Sequence, residues 1–342
     1  TGFKRLIKEG FFCKNANYNY VPTYTAPGHA SIYTASTPAI NGIIANDWFD
    51  VNTGKSIYCV TDSRRTSVGT ENDEGRCSPE NLMTTTITDE LRLATNMKSK
   101  VIALALKDRS AVLPGGHLAN AAYWYDGSSG NFISSSYYMK ELPRWAQEFN
   151  NRKLPKRYLG EDWKTLLPID EYTESLADDY IYETKFTGEK KPVFPHNLPE
   201  LMKANGGFNL IRTTPFGNTL LKDFAMEVIT SEGMGKSAAT DFIAISFSAT
   251  DYVGHAYGPN SIEAEDTYIR LDKELSDLLD FITTQVGQNN ALFFLTGDHG
   301  AMQIPAYLQE LKVPAGYVNE TQLTDTLKKY LTQQYGAPLV LN

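Results

Sequence analysis

Five short stretches hold the side chains whose types and spacing could do chemistry. In "YTAPGHAS", the Thr25 hydroxyl is followed by Pro27 and Gly28. Proline suits the first turn of a helix. Thr25 then sits at or near the N-cap, where free N–H groups and the helix dipole attract an anion. A threonine hydroxyl is a weak nucleophile near neutral pH and needs a base or a metal to stabilise its alkoxide. In "ATDYVGHAYGP", Asp251 and His255 stand four apart after an apolar run. A carboxylate and an imidazole so spaced can meet one divalent ion of zinc type, with Gly254 and Gly258 letting the backbone bend. In "LTGDHGA", Asp298 and His299 are adjacent between glycines and can reach one metal or two. In "ALKDRSA", Lys107 and Arg109 are two apart, hence on one side of an extended segment, where they could hold the non-bridging oxygens of a phosphate. In "IIANDWFD", the Asn46 amide could donate to an oxyanion.

Each stretch has a plain alternative. Thr25 could be an ordinary cap, Asp251 and Asp298 turn residues, His255 a surface histidine, Lys107 and Arg109 a solvated basic turn, and Asn46 a structural turn. Their joint occurrence weakens those alternatives. Of five histidines, two fall beside aspartates after apolar runs. His29, His117 and His196 receive no role.

The elements that must position these groups are short apolar runs. "KVIALAL" leads into Lys107, "DFIAISFSAT" into Asp251 and "ALFFLTG" into Asp298. Such runs suit strands buried on both faces of a parallel sheet. Helical patterns separate them. In the clearest, Leu271, Leu275, Leu278 and Ile282 recur at helical spacing between a Ser261 cap and a Gly287 stop. "TGFKRLIKEG" is a further helix. The alternation predicts an α/β fold with a mostly parallel central sheet flanked by helices, and ligands collect beyond the carboxyl ends of such strands. Residues 1–112 and 208–342 are expected to form this core. The Tyr-, Trp- and Gly-rich residues 113–207 read as an inserted cap, with a hairpin turning at Asp126-Gly127-Ser128.

The bulk figures bound the partners. The 342 residues are 42% hydrophobic, ample for a core, and the formal net charge is -8, which disfavours a nucleic-acid coat. No apolar run is long enough to span a membrane. Cys13, Cys59 and Cys77 leave at least one thiol unpaired. Cys59 and Cys77 flank a turn-rich loop and could bridge in an oxidising compartment, or be unrelated small residues.

Taken together, "TAPGH", "DYVGHAYGP" and "GDHGA", with "NDWFD", "LALKDRSAVLPGGH" and "NAAYWYDGSSG", resemble the alkaline phosphatase superfamily. The likeness is to its type I phosphodiesterase/nucleotide pyrophosphatase branch, and within it to secreted bacterial zinc-dependent alkaline phosphatases that use a threonine nucleophile. The resemblance implies two zinc ions about 4 Å apart. It implies Thr25 as nucleophile and ligand of one zinc with Asp298 and His299, and Asp251 and His255 on the other. It implies Asn46, Lys107 and Arg109 on the phosphoryl oxygens, the Lys-x-Arg pair going with a preference for monoesters. It further implies small phosphate monoester substrates, a monomer, and a periplasmic or secreted location.

The family also carries an aspartate before its first helix and a last zinc-binding histidine downstream. This chain starts inside that helix and has no histidine after His299. The expectation is therefore a fragment, weakly active by itself. The alternatives are a phosphodiesterase or nucleotide pyrophosphatase on the same scaffold, or a metal- and phosphate-binding remnant. A sulfatase fits less well, because the position of its Cys or Ser is Thr25.

Overall fold

The computed structural model describes residues 1–336. Two units of chain emerge. One comprises Thr1–Trp48 and Ile57–Ala301; the other comprises Phe49–Ser56 and the described residues from Met302 on. The second contributes the helices Pro305–Glu310 and Glu320–Tyr335. "APLVLN", the last apolar run, lies outside the described residues.

The first unit is built on a five-stranded sheet: β1 (Ser67–Val68), β2 (Val101–Ala105), β3 (Ala121–Asp126), β4 (Asn131–Ser135) and β5 (Phe242–Ser246), in the order β1-β4-β3-β2-β5. Strands β3 and β5 run parallel to β2, while β4 and β1 are antiparallel to their neighbours. The sheet is thus mixed, and the α/β class holds. In β2 and β3 all eleven side chains are buried. Period-two alternation explains how both faces are covered. Ile102, Leu104, Tyr123 and Tyr125 enter one core with Phe132 and Phe224, whose rings stack 3.9 Å apart. Ala103, Ala105, Ala122 and Trp124 enter the other, where small residues let helices approach closely.

Six helices matter for the site: α1 (Gly2–Glu9), α2 (Thr25–Thr34), α3 (Arg109–Gly115), α4 (Phe216–Ser231), α5 (Ala249–Tyr257) and α6 (Ile262–Val286). Helix α6 starts and stops as its sequence predicts. The Ser261 side chain accepts from the Ala264 N–H, and Gly287 follows the last turn at φ 95°. Helix α1 lies on α6 so closely that a Cβ on Gly2 would stand 2.5 Å from the Leu275 Cβ.

Two expectations fail. The hairpin assigned to the inserted cap supplies β3 and β4, so residues 121–135 belong to the central sheet and not to a cover. Their aromatic content reflects burial on both faces. The second is "ALFFLTG", which forms no strand. Residues 291–296 have no regular structure, and Leu292 and Phe294 are 80% and 77% exposed. Composition marks a run as fit for a sheet; it does not say whether a neighbouring strand is there to pair with.

Candidate active site

Helix α2 begins at Thr25, with Tyr24 as the extended N-cap residue. Thr25 is therefore the first helical residue, one step inside the expected cap position. The first N–H groups of a helix have no partner within it. That of Ala26 is taken by the Asn46 side chain, whose Oδ1 accepts at 2.9 Å. This fixes Asn46 beside the N-terminus of α2 and leaves its NH2 as the remaining donor. Gly28 is required where it stands: a Cβ there would meet the Asp298 carbonyl oxygen at 2.0 Å. The helix and the Gly297–Gly300 loop touch backbone to backbone at this point, and the Tyr18 hydroxyl holds the loop by donating to the Gly297 carbonyl at 2.5 Å.

Thr25 Oγ1 faces His299 Nε2 at 3.4 Å. His299 Nε2 in turn lies 3.7 Å from Asp251 Oδ1 and 3.6 Å from Asp298 Oδ2. Asp251 and His255 come from α5, not from a strand end. Their spacing of four is one helical turn and puts both on one face, with His255 Nε2 3.4 Å from Asp251 Oδ1. Gly254 lies within that helix and bends nothing, whereas Gly258 ends it at φ 93°. The His255 side chain is 77% exposed, so its outer face meets solvent.

The cations also differ from the extended pair expected. Lys107 sits in the turn after β2 and Arg109 opens α3. The Lys107 ammonium donates to Asp251 Oδ2 at 2.5 Å and lies over the Tyr252 ring. Burial would raise the Asp251 pKa; Lys107, then His255 and His299, more than offset that and hold it below the usual carboxylate value. Arg109 donates to the Tyr58 hydroxyl at 3.0 Å, and that hydroxyl donates to Asp108 Oδ1 at 2.5 Å. Tyr58 and Asp108 thus orient the guanidinium.

Sequence reasoning missed His29. It is 8% exposed, with Nε2 3.6 Å from Asp298 Oδ2 and Nδ1 buried without a partner. Burial pushes its pKa down to about 4. Its spacing of four from Thr25 would have revealed it, since both lie on one face of α2. His117 is elsewhere, between Asp89 and the Leu82 carbonyl. Cys59 and Cys77 are both buried and both free, as is exposed Cys13. Burial pushes the two buried thiols up.

Among the described residues, no three of the acidic, histidine or cysteine side chains close on one ion as they stand. The spacings nevertheless suit a metal. Separations of 3.4 to 3.7 Å between Asp251, His255, Asp298 and His299 exceed good hydrogen bonds. Two donors each about 2.1 Å from one tetrahedral zinc stand about 3.4 Å apart. Imidazole nitrogens with carboxylate oxygens are a zinc-type donor set.

A profile of the family described as type I phosphodiesterase / nucleotide pyrophosphatase matches residues 1–334. The chain belongs to that family. Alkaline phosphatase PhoV of Synechococcus elongatus is 52% identical over 315 residues, 92% of this chain and 57% of that protein. A Myroides odoratus protein named calcium-transporting ATPase is 49% identical over 338 residues, 98% of this chain and 62% of that one. Alkaline phosphatase PafA of Elizabethkingia meningoseptica is 46% identical over 342 residues, 99% of this chain and 62% of that one. The crystal structure of wild-type PafA superposes with a TM-score of 0.94 at 45% identity, covering 98% of this chain and 64% of that chain. A second PafA structure carries substitutions of a threonine, an asparagine, a lysine and an arginine. The chain spans about three fifths of the length of these relatives.

Proposed function

We propose that the chain carries the active centre of a phosphate monoester hydrolase in which Thr25 is the nucleophile. The observation that carries this is the Thr25 hydroxyl at the start of a buried helix, 3.4 Å from His299, with Asp251, Asp298, Lys107 and Arg109 gathered around it. Relatives named alkaline phosphatase support the same reading. So does the PafA variant. The residue types it alters are those of Thr25, Asn46, Lys107 and Arg109, in that chain order and with one residue between lysine and arginine.

In this reading, Asp298 and His299, with Thr25, would hold one zinc ion and Asp251 and His255 another, as the family resemblance implies. Zinc at these residues supplies Lewis acidity and lowers the pKa of a bound hydroxyl or water. Thr25 Oγ attacks phosphorus, the bond to the ester oxygen breaks, and the alcohol departs with a proton. Water then displaces Thr25 from the phosphothreonine and releases inorganic phosphate. Asn46, with its NH2 free to donate, Lys107 and Arg109 meet the non-bridging oxygens. A monoester dianion gains more from two cations than a diester monoanion does, which favours monoesters.

The family's name keeps a phosphodiesterase reading in play, and hydrolysis of matched aryl phosphate and alkyl aryl phosphate separates the two. The zinc-loaded chain is expected to split the monoester faster, and Thr25→Ala to remove that turnover. Faster diester turnover would reverse the assignment. A periplasmic or secreted location is part of this proposal. No described helix is long and apolar enough to cross a membrane.

A further inference from the structure

His29 is a buried histidine that the phosphoryl chemistry leaves unused. A histidine that only serves the fold looks like His117, whose two ring nitrogens stand 3.1 Å from Asp89 and 3.0 Å from the Leu82 carbonyl. His29 is 8% exposed and makes no contact so short. Its Nδ1 is buried without a partner. Its Nε2 faces Ser246 Oγ, at the end of β5, at 3.4 Å and Asp298 Oδ2 at 3.6 Å. Burying an imidazole with so little returned costs stability. A leucine would fill the same place without that cost, so the ring must do something a leucine cannot.

The surroundings of Asp298 say what. Consecutive residues of α2 meet both halves of it. Gly28 lies against its backbone with no room for a Cβ, and His29 faces its carboxylate. Among the described residues, no lysine or arginine pairs with Asp298 as Lys107 does with Asp251. The Asp298 carboxylate has imidazoles instead, His29 and His299, each with Nε2 3.6 Å from Oδ2. A neutral imidazole carries one N–H. Both acceptors near His29 lie at Nε2 and none at Nδ1, so the proton belongs on Nε2.

We propose that His29 is a positioning residue, donating from Nε2 to Asp298 Oδ2 and so orienting that carboxylate toward a metal ion shared with His299. The inference rests on the proposed reading of Asp298 and His299 as zinc ligands. A carboxylate oxygen has two lone pairs, and accepting from His29 leaves one for the ion. Ligating carboxylates are themselves hydrogen-bonded, and losing such a partner costs about 10–100-fold in metal affinity. At 3.6 Å the contact is too long for a hydrogen bond as it stands; contacts of this kind tighten when a site is filled. Thr25 and His29 are one turn apart on α2, so one element presents the hydroxyl and steers the ligand beside it.

The test reads zinc binding rather than turnover. A chromogenic chelator competes for zinc with the unmodified chain, with His29→Leu and with His29→Gln. Affinity for one zinc is expected to fall about 10–100-fold in His29→Leu. His29→Gln should restore most of it, because its amide NH2 reaches to where Nε2 stands. In an Asp298→Asn background the His29→Leu change should cost little further affinity, whereas a pure packing role would keep the full loss there. Side-chain nitrogen NMR of the five histidines needs no folded variant of His29. It should show His29 as the Nε2–H tautomer with and without zinc, its N–H proton moving downfield on loading. The Nδ1–H tautomer, unchanged affinity in His29→Leu, or a loss that His29→Gln does not restore would each overturn the proposal and leave the phosphatase reading standing. An unmodified chain that binds no zinc would overturn both.

Discussion

Around Thr25 the buried charges stand beside opposites, whereas around His196 the carboxylates outnumber the cations. Asp251 has Lys107 on one oxygen and two histidines near the other, and its pKa is held low. Glu183 has like charges for neighbours, and its pKa is pushed up to about 8. The first arrangement keeps a carboxylate ionised and ready to ligate. The second raises the pKa of Glu183 and Asp178, so these two keep their protons to higher pH. The same two residue types, aspartate and glutamate, thus behave oppositely because of what their helices and loops bring beside them.

Removing the cations of the first region should have the largest effect on that contrast. Lys107→Ala with Arg109→Ala is expected to lower kcat/KM for a phosphate monoester by roughly 10²–10³-fold or more. The loss for a diester should be smaller. Equal losses would mean that the pair positions the site without selecting by charge. Next comes Gly28→Ala. With the Asp298 carbonyl 2.0 Å from the new Cβ, the loop must shift, and displacement near 1 Å costs about 10²-fold in rate. Zinc content should fall in parallel. An unchanged rate would show that the contact between α2 and the loop is dispensable.

Tyr58→Phe is expected to act more gently. It removes the hydroxyl between Arg109 and Asp108, about 1 kcal/mol of hydrogen bonding, hence about fivefold in monoester turnover. Diester turnover should change less. The smallest effect belongs to the second region. Glu183 keeps its proton to about pH 8 when folded, against 4.5 when unfolded. His196 is raised from 6.5 to about 9. Burial opposes that rise, and Glu189 and Glu263 overcome it. Both raised values mean that folding takes up protons between the unfolded and folded pKa, so stability falls as pH rises. With Asp178, Asp179, Glu189, Glu263 and Lys191 as the facing charges, melting temperature should decline between about pH 5 and 9. A decline unaltered by Glu183→Gln would remove this cluster as its source.

Much of the first region was legible in the sequence because its residues follow apolar runs. "KVIALAL" and "DFIAISFSAT" do form β2 and β5, and Lys107 and Asp251 do come after them. What failed was the local conformation. Spacing two predicts one side of a strand for Lys107 and Arg109, yet Arg109 starts a helix. Spacing four between Asp251 and His255 is helical spacing, and so is that between Thr25 and His29. The aromatics and glycines of "NAAYWYDGSSGNF" resemble an insertion, but burial on both faces of a sheet asks for the same residues. The second region was not legible. Asp178, Glu183, His196 and Glu263 lie on separate segments, and nothing in their local sequence tells which charges folding brings together or leaves without a partner.

The most direct test of the central claim is acid quenching of the zinc-loaded chain during monoester turnover, followed by mass spectrometry of its peptides. The account predicts one added phosphoryl group on the peptide holding Thr25, absent from Thr25→Ala. Steady turnover with no phosphorylated peptide, or with the phosphoryl group on another residue, would contradict it.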